Sequence, residues 1–148
     1  MYARDAMHVE ANRWAPLETG GVLLGYGDLE GSDVVVVDVL GPGPRAEHGR
    51  SGFHPDSRWQ AEQVAARYEA SDRIVTYLGD WHSHPTSLPL PSEVDAGTAR
   101  RIARDRAARA SEPLMVILGR PAEDEWLLVG LRYQRRRLRP TRLRLFAD

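Results

Sequence analysis

The stretch GDWHSHPTSLPLPSEVD, residues 79–95, decides how this chain is read. The preceding Ile-Val-Thr-Tyr-Leu is β-prone and too short for a helix, so a strand is expected over 74–81. His82 and His84 stand two apart at its end, and strand alternation sends both side chains to one face. PTSLPLP (85–91) is a proline-broken loop, and Ser92 starts a helix predicted to run to about Arg109. Asp95 lies eleven residues after His84, in the first turn of that helix. A loop of that length can bring a carboxylate back to the two imidazoles. Two His and one carboxylate, with no thiolate, make the donor set of an open catalytic zinc site. Water in its fourth position would have a pKa lowered towards about 7.

Working outward, residues 3–14 carry Ala3, Ala6, Met7, Ala11 and Trp14 near helical spacing, and Pro16 ends that helix. LETGGVLLGY (17–26) reads as a strand whose Gly20 and Gly21 permit close backbone approach. Val34 to Leu40 gives a second strand, with Gly27, Asp28 and Gly31 in a hairpin turn between the two. Residues 41–55 form a Gly- and Pro-rich loop. A helix opens at Asp56 or Ser57, with Ala61, Val64, Ala65 and Tyr68 as its apolar stripe. Ala99, Ile102 and Ala103 face inward from the helix after Ser92. Strands follow at 114–118 and 126–131, and Arg142 to Leu145 alternates as a last edge strand would. The order αββαβαββ predicts an α/β fold: an α-β-α sandwich with a central mixed sheet flanked by helices.

Length and composition set the limits. The 148 residues fit one domain, 1–148, since two cores would each be too small. Hydrophobic residues at 42% and charged residues at 28% exclude general disorder. No apolar run approaches the roughly 18 residues of a membrane span. The opening MYARDAMHVE has no continuous apolar stretch and is not read as a signal peptide, so a cytoplasmic location is expected. With no cysteine, disulfide scaffolds, zinc fingers and thiol nucleophiles are excluded. All 20 basic residues are Arg, and the single Asn and three Ile point to a GC-rich genome as the reason. Residues 132–148 hold seven Arg and one Asp, whereas the rest holds 13 Arg and 20 acids. The simplest reading pairs this tail with the acidic body. Nucleic acid is not expected, because the overall field opposes a polyanion.

At this point the chain resembles the JAB/MPN metalloproteases carrying the JAMM motif, Glu … His-x-His-x7-Ser-x2-Asp. The match is His82-Ser83-His84, seven residues, Ser92, two residues, Asp95, with Glu18 upstream in Glu-Thr-Gly-Gly-Val-Leu-Leu-Gly. It extends to about residue 131 and looks most like bacterial members, some of which accompany ubiquitin-like conjugation systems in phage-defence operons. The resemblance implies the JAB/MPN, cytidine deaminase-like fold. It implies one Zn²⁺ per chain on His82, His84 and Asp95. It makes Glu18 the general base and then acid, without binding metal. Ser92 would donate to the oxyanion, a contact worth on the order of 3 kcal/mol in the barrier. The implied activity is that of a zinc isopeptidase acting after the C-terminus of a ubiquitin-like protein, with E1-like and E2-like proteins as pathway partners. The tail of that protein would lie extended near the loop Pro85–Pro91, using its backbone for strand pairing and passing Gly20 and Gly21.

Other readings stand beside this one. A JAB peptidase trimming a sulfur-carrier protein would use the same residues. A non-catalytic MPN scaffold usually lacks one of the ligands or Glu18. A zinc deaminase needs Cys ligands. Ser92 and Asp95 also read as N-cap and N3 of the helix. Asp80 is read either as partner of a ligand imidazole or as a solvated or capping acid. His8, His48 and His54 have no partner spacing and are read as structural. Trp59, Trp81 and Trp126 are read as core or sheet-facing, and Arg100, Arg101, Arg104, Arg106 and Arg109 as a solvated face.

Overall fold

The computed structural model describes residues 2–27, 34–123 and 125–145. In chain order the elements begin with α1 (Ala3–Trp14), β1 (Gly20–Gly27) and β2 (Val34–Leu40). The two-residue strands β3 (Glu47–His48) and β4 (Phe53–His54) follow, then α2 (Ser57–Ala70), β5 (Thr76–His84) and α3 (Glu93–Arg104). The chain continues through β6 (Leu114–Ala122), β7 (Glu125–Gln134), β8 (Arg137–Pro140) and β9 (Arg144–Leu145). Seven strands form one sheet in the order β8-β7-β6-β5-β1-β2-β9. β5 runs parallel to β6 and β2 parallel to β9, while the other pairs are antiparallel. The sheet is therefore mixed, as the sequence predicts.

Alternation along the strands assigns the two faces. Leu23, Trp81, Val116 and Leu118 turn to one side, where Ala3, Met7 and Ala11 of α1 cover them. Val22, Leu24 and Leu40 turn to the other and meet Trp59 and Val64 of α2. Met115, Ile117, Leu131 and Tyr133 share that second face with Ala99 and Ala103 of α3. Trp81, at 1% exposure, sits in the centre and donates its indole N–H to the Leu40 carbonyl at 3.0 Å. Helices thus cover both faces, which is the expected sandwich.

Several boundaries differ from the sequence reading. β5 reaches His84, so both histidines lie inside the strand and not beyond it. β1 begins at Gly20, leaving Glu18 just ahead of it. α3 stops at Arg104, where Asp105 adopts an extended conformation and accepts the Ala107 N–H. On α2, Ala61 and Ala65 are exposed, and the inward position belongs to Gln60. That amide is satisfied by the Gly41 carbonyl at 3.0 Å, which lets a polar residue replace the expected alanines. The loop 41–55 contains the β3–β4 pair, and the Arg-rich segment adds β8 to β7 and β9 to β2. Within that segment Arg132 lies 4.0 Å from Glu112. Asp28 and Gly31 of the expected hairpin turn lie outside the described residues, although β1 and β2 pair antiparallel around it. Among the described residues, no helix is long and apolar enough to cross a membrane.

Candidate metal centre

β5 lies in the middle of the sheet, with β1 on one side and β6 on the other. Gly20 pairs with His82, and Gly119 pairs with His84. Both imidazoles point to one face, while Trp81 and Ser83 are buried on the other. His82 Nε2 and His84 Nε2 are 3.2 Å apart. Asp95 Oδ1 is 3.2 Å from His82 Nε2, and Oδ2 is 3.8 Å from His84 Nε2. Donors at about 2.1 Å from a tetrahedral ion stand roughly 3.4 Å apart, so these separations are of the size a zinc site needs. Among the described residues these three form the one His, Asp or Glu group whose ligand atoms all converge in this way.

Asp95 is aimed by the start of α3. Ser92 caps the helix: its hydroxyl oxygen accepts the Asp95 N–H at 3.1 Å, and Asp95 Oδ2 accepts the Ser92 N–H at 2.8 Å. The capping box and the ligand role therefore coexist. Ser92 uses its oxygen as an acceptor there, which keeps the hydroxyl proton free to donate outward. Burial pushes the Asp95 carboxyl up, but the bond and charge of His82 and the Ser92 N–H together hold it at about 2.

His84 is aimed by the loop after β5. Its Nδ1 donates to the Leu88 carbonyl at 3.4 Å, leaving Nε2 for the ion. The loop closes on itself through Leu90 N–H to the Leu88 carbonyl at 2.8 Å. It rests on Gly119, where any Cβ would press into Pro89 N and Leu88 C. This bears out the reading of 85–91 as a proline-broken loop. Residues 85–91 are turned, and β5 has no open edge beside the histidines. Leu88 and Leu90 project outward as exposed side chains. The close backbone approach read at Gly20 and Gly21 is borne out: both are buried, and a Cβ on Gly20 would collide with the Trp81 carbonyl and the Phe53 ring. They let β1 approach its neighbours and do not line a channel.

Glu18 sits outside the converging donor group. Continuing the β1–β5 register places residue 19 opposite 83 and residue 18 opposite 84, on the face of the histidines. The Ser83 N–H bonds the Thr19 carbonyl at 2.9 Å, and the Thr19 N–H bonds Ser83 Oγ at 3.0 Å. Burial raises the Glu18 carboxyl pKa, with His82 opposing and Asp95 adding to the rise. A carboxyl raised in this way holds a proton more readily than a free one.

The remaining sequence candidates take structural or surface places. Asp80 is neither solvated nor a cap: it accepts the Tyr77 hydroxyl at 2.8 Å, and burial raises it to about 6 against that bond and His82. His54 is exposed on β4, and His8 is partly buried on α1 with its pKa lowered by burial. Trp126 donates to Asn12 Oδ1 at 2.7 Å. Arg100, Arg101, Arg104, Arg106 and Arg109 are all exposed, as expected. Sequence reasoning read His48 as structural without its partner and passed over Ser83 and Gly49; the three hold residues 18 and 19. The signal for Ser83 was available: alternation turns it into the core, where a hydroxyl must find partners.

Comparison with known proteins agrees with this geometry. The family of prokaryotic homologues of the JAB domain matches residues 2–129. A probable metalloprotease, y4qB of Sinorhizobium fredii, is 38% identical over 125 residues, covering 83% of this chain and 74% of that protein. A CD-NTase/cGAS isopeptidase of Vibrio cholerae is 36% identical over 116 residues, covering 74% of this chain and 65% of its own length. The solution structure of protein DSY2949 from Desulfitobacterium hafniense superposes with a TM-score of 0.73 at 21% identity. It covers 99% of this chain and 90% of that one, which shows the shared fold. Family, fold and the His-His-Asp group together lead to one conclusion: this chain belongs to the prokaryotic JAB-domain family.

Proposed function

We propose that this protein is a zinc-dependent isopeptidase that hydrolyses the amide bond after the C-terminus of a ubiquitin-like modifier, in a bacterial conjugation pathway of the antiviral kind. The observation that carries this reading is the convergence of His82, His84 and Asp95 at 3.2–3.8 Å beside Glu18. In this reading residues 1–148 act as one JAB-type domain, and E1-like and E2-like proteins are its pathway partners. His82, His84 and Asp95 hold the zinc ion. When bound, zinc supplies a Lewis acid and eases deprotonation of water at neutral pH. The Glu18 carboxylate takes the proton of the attacking water and delivers it to the departing amine. The Ser92 hydroxyl donates to the carbonyl oxygen as it gains charge. The exposed Leu88, Leu90 and Val94 border the site and suit contact with a folded protein body.

The relatives' names support a second reading of the substrate. Several are called CD-NTase/cGAS isopeptidases, and in this second reading the conjugate cleaved contains a CD-NTase. The test presents zinc-loaded protein with two fusion sets, a ubiquitin-like modifier or a CD-NTase joined through its C-terminus to a reporter amine. Cleavage of one set that is lost in Glu18→Gln supports the isopeptidase reading and selects the substrate. No cleavage of either set refutes it.

A further inference from the structure

The hairpin of β3 and β4 lies against Glu18 on the side away from β5. The Glu18 N–H donates to the Gly49 carbonyl at 2.8 Å, and the Glu18 carbonyl accepts from His48 Nδ1 at 2.9 Å. Consecutive residues thus hold both polar atoms of Glu18's own backbone. The hairpin is itself closed, by the Gly49 N–H on the Gly52 carbonyl at 2.9 Å and by pairing of His48 with Phe53. The His48 ring lies flat on Trp14, with centroids 3.5 Å apart and planes 9° apart, and tilts against Phe53 at 5.7 Å. Trp14 is in turn fixed by its indole N–H on Glu10 Oε1 at 2.9 Å. From the other side, Ser83 holds Thr19.

We propose that His48 is a positioning residue for Glu18, setting where its carboxylate stands relative to the metal centre. This rests on the reading of Glu18 as the proton-transfer group. Glu18 belongs to neither a helix nor a strand, so the regular hydrogen-bond ladder does not fix its backbone. The hairpin replaces the missing strand partner. His48 suits this position because one residue supplies both an N–H for the carbonyl and a flat ring for Trp14. A shift of the catalytic carboxylate by about 1 Å is enough to cost up to roughly a hundredfold in rate.

Two variants separate the donor from the ring. His48→Phe keeps a ring against Trp14 and removes the donor, whereas His48→Asn keeps an N–H near the place of Nδ1 and removes the ring. In His48→Phe, amide exchange at Glu18 should speed up about tenfold as its local bonding is released. On a cleavable modifier fusion its kcat should fall about tenfold with KM within about twofold. Zinc content should equal that of the unmutated protein in both variants. His48→Asn should recover most of the exchange protection and of kcat. Wild-type exchange and kcat in His48→Phe would overturn the proposal, because the donor would then be dispensable, and so would equal losses in both variants, because a retained donor would then protect nothing. The unmutated protein offers a third reading: its imidazole ¹⁵N spectrum must show Nδ1 of His48 protonated, and a bare Nδ1 overturns the proposal. If the wild type cleaves no fusion, the isopeptidase reading fails, while exchange and tautomer still decide the role of His48.

Discussion

β5 and the segment Leu17–Thr19 face the same site across one strand register, yet they are held by different means. β5 is inside the sheet, paired with β1 as far as His82 and with β6 as far as His84. Leu17–Thr19 runs ahead of β1 and is held by Ser83 on one side and by residues 48 and 49 on the other. The two histidines of β5 therefore inherit their geometry from the ladder. The carboxylate of Glu18 inherits its geometry from a few individual hydrogen bonds. Sites placed on regular elements are more rigid than those on loops, so damage to the two regions should have different signatures.

The largest effect should come from the strand. His82→Ala/His84→Ala should abolish zinc binding, measured as metal per chain after dialysis, because an open site cannot keep its ion on one carboxylate. Retention of a full equivalent would end the assignment. Next in size, Glu18→Gln should keep the zinc and lose about 10²–10⁴-fold in turnover, the range of a proton-transfer group. Retained turnover would require a different base.

Ser83→Ala tests the link between the two regions. It leaves the buried Thr19 N–H without its side-chain acceptor, at a cost of about 1–3 kcal/mol in denaturant unfolding. Turnover should fall while zinc remains. Equal loss of zinc would mean that strand and segment are not held separately. Ser92→Ala should cost about 1 kcal/mol through the helix cap, again with zinc retained.

The smallest effect concerns acid and the metal-free protein. Asp95 is held at about 2, below its ordinary 3.8. A depressed carboxyl contributes stability above its unfolded pKa and loses it as pH falls through the folded value. Thermal melts with chelator should therefore drop between about pH 4 and pH 2, and Asp95→Asn should flatten that drop. An unchanged slope would show that the His82 and Ser92 contacts do not stabilise the charge.

Much of this was legible in the residues. The spacing of His82, His84 and Asp95 predicted the donor set because a strand has period two and a helix start fixes its third residue. The α1 stripe of Ala3, Met7 and Ala11 was legible for the same reason: helical period decides which side is buried. On α2 the reading held for Val64 but not for Ala61 and Ala65, and the buried Gln60 was missed because its partner, the Gly41 carbonyl, is nineteen residues away where no periodicity reveals it. The loop after β5 was legible as proline-broken, whereas its packing on Gly119 and its carbonyl bond to His84 depend on how the sheet places it.

The sequence by itself determined the main helices and strands, the sandwich and which side chains form the candidate metal group, since these depend on short spacings and on residue chemistry. Tertiary structure alone decided how they are held: that β5 is buried mid-sheet, and that His48, Gly49 and Ser83 grip Glu18 and Thr19. Those contacts join segments 30 to 64 residues apart, so they exist only once the sheet has assembled and brought the backbones into hydrogen-bonding range.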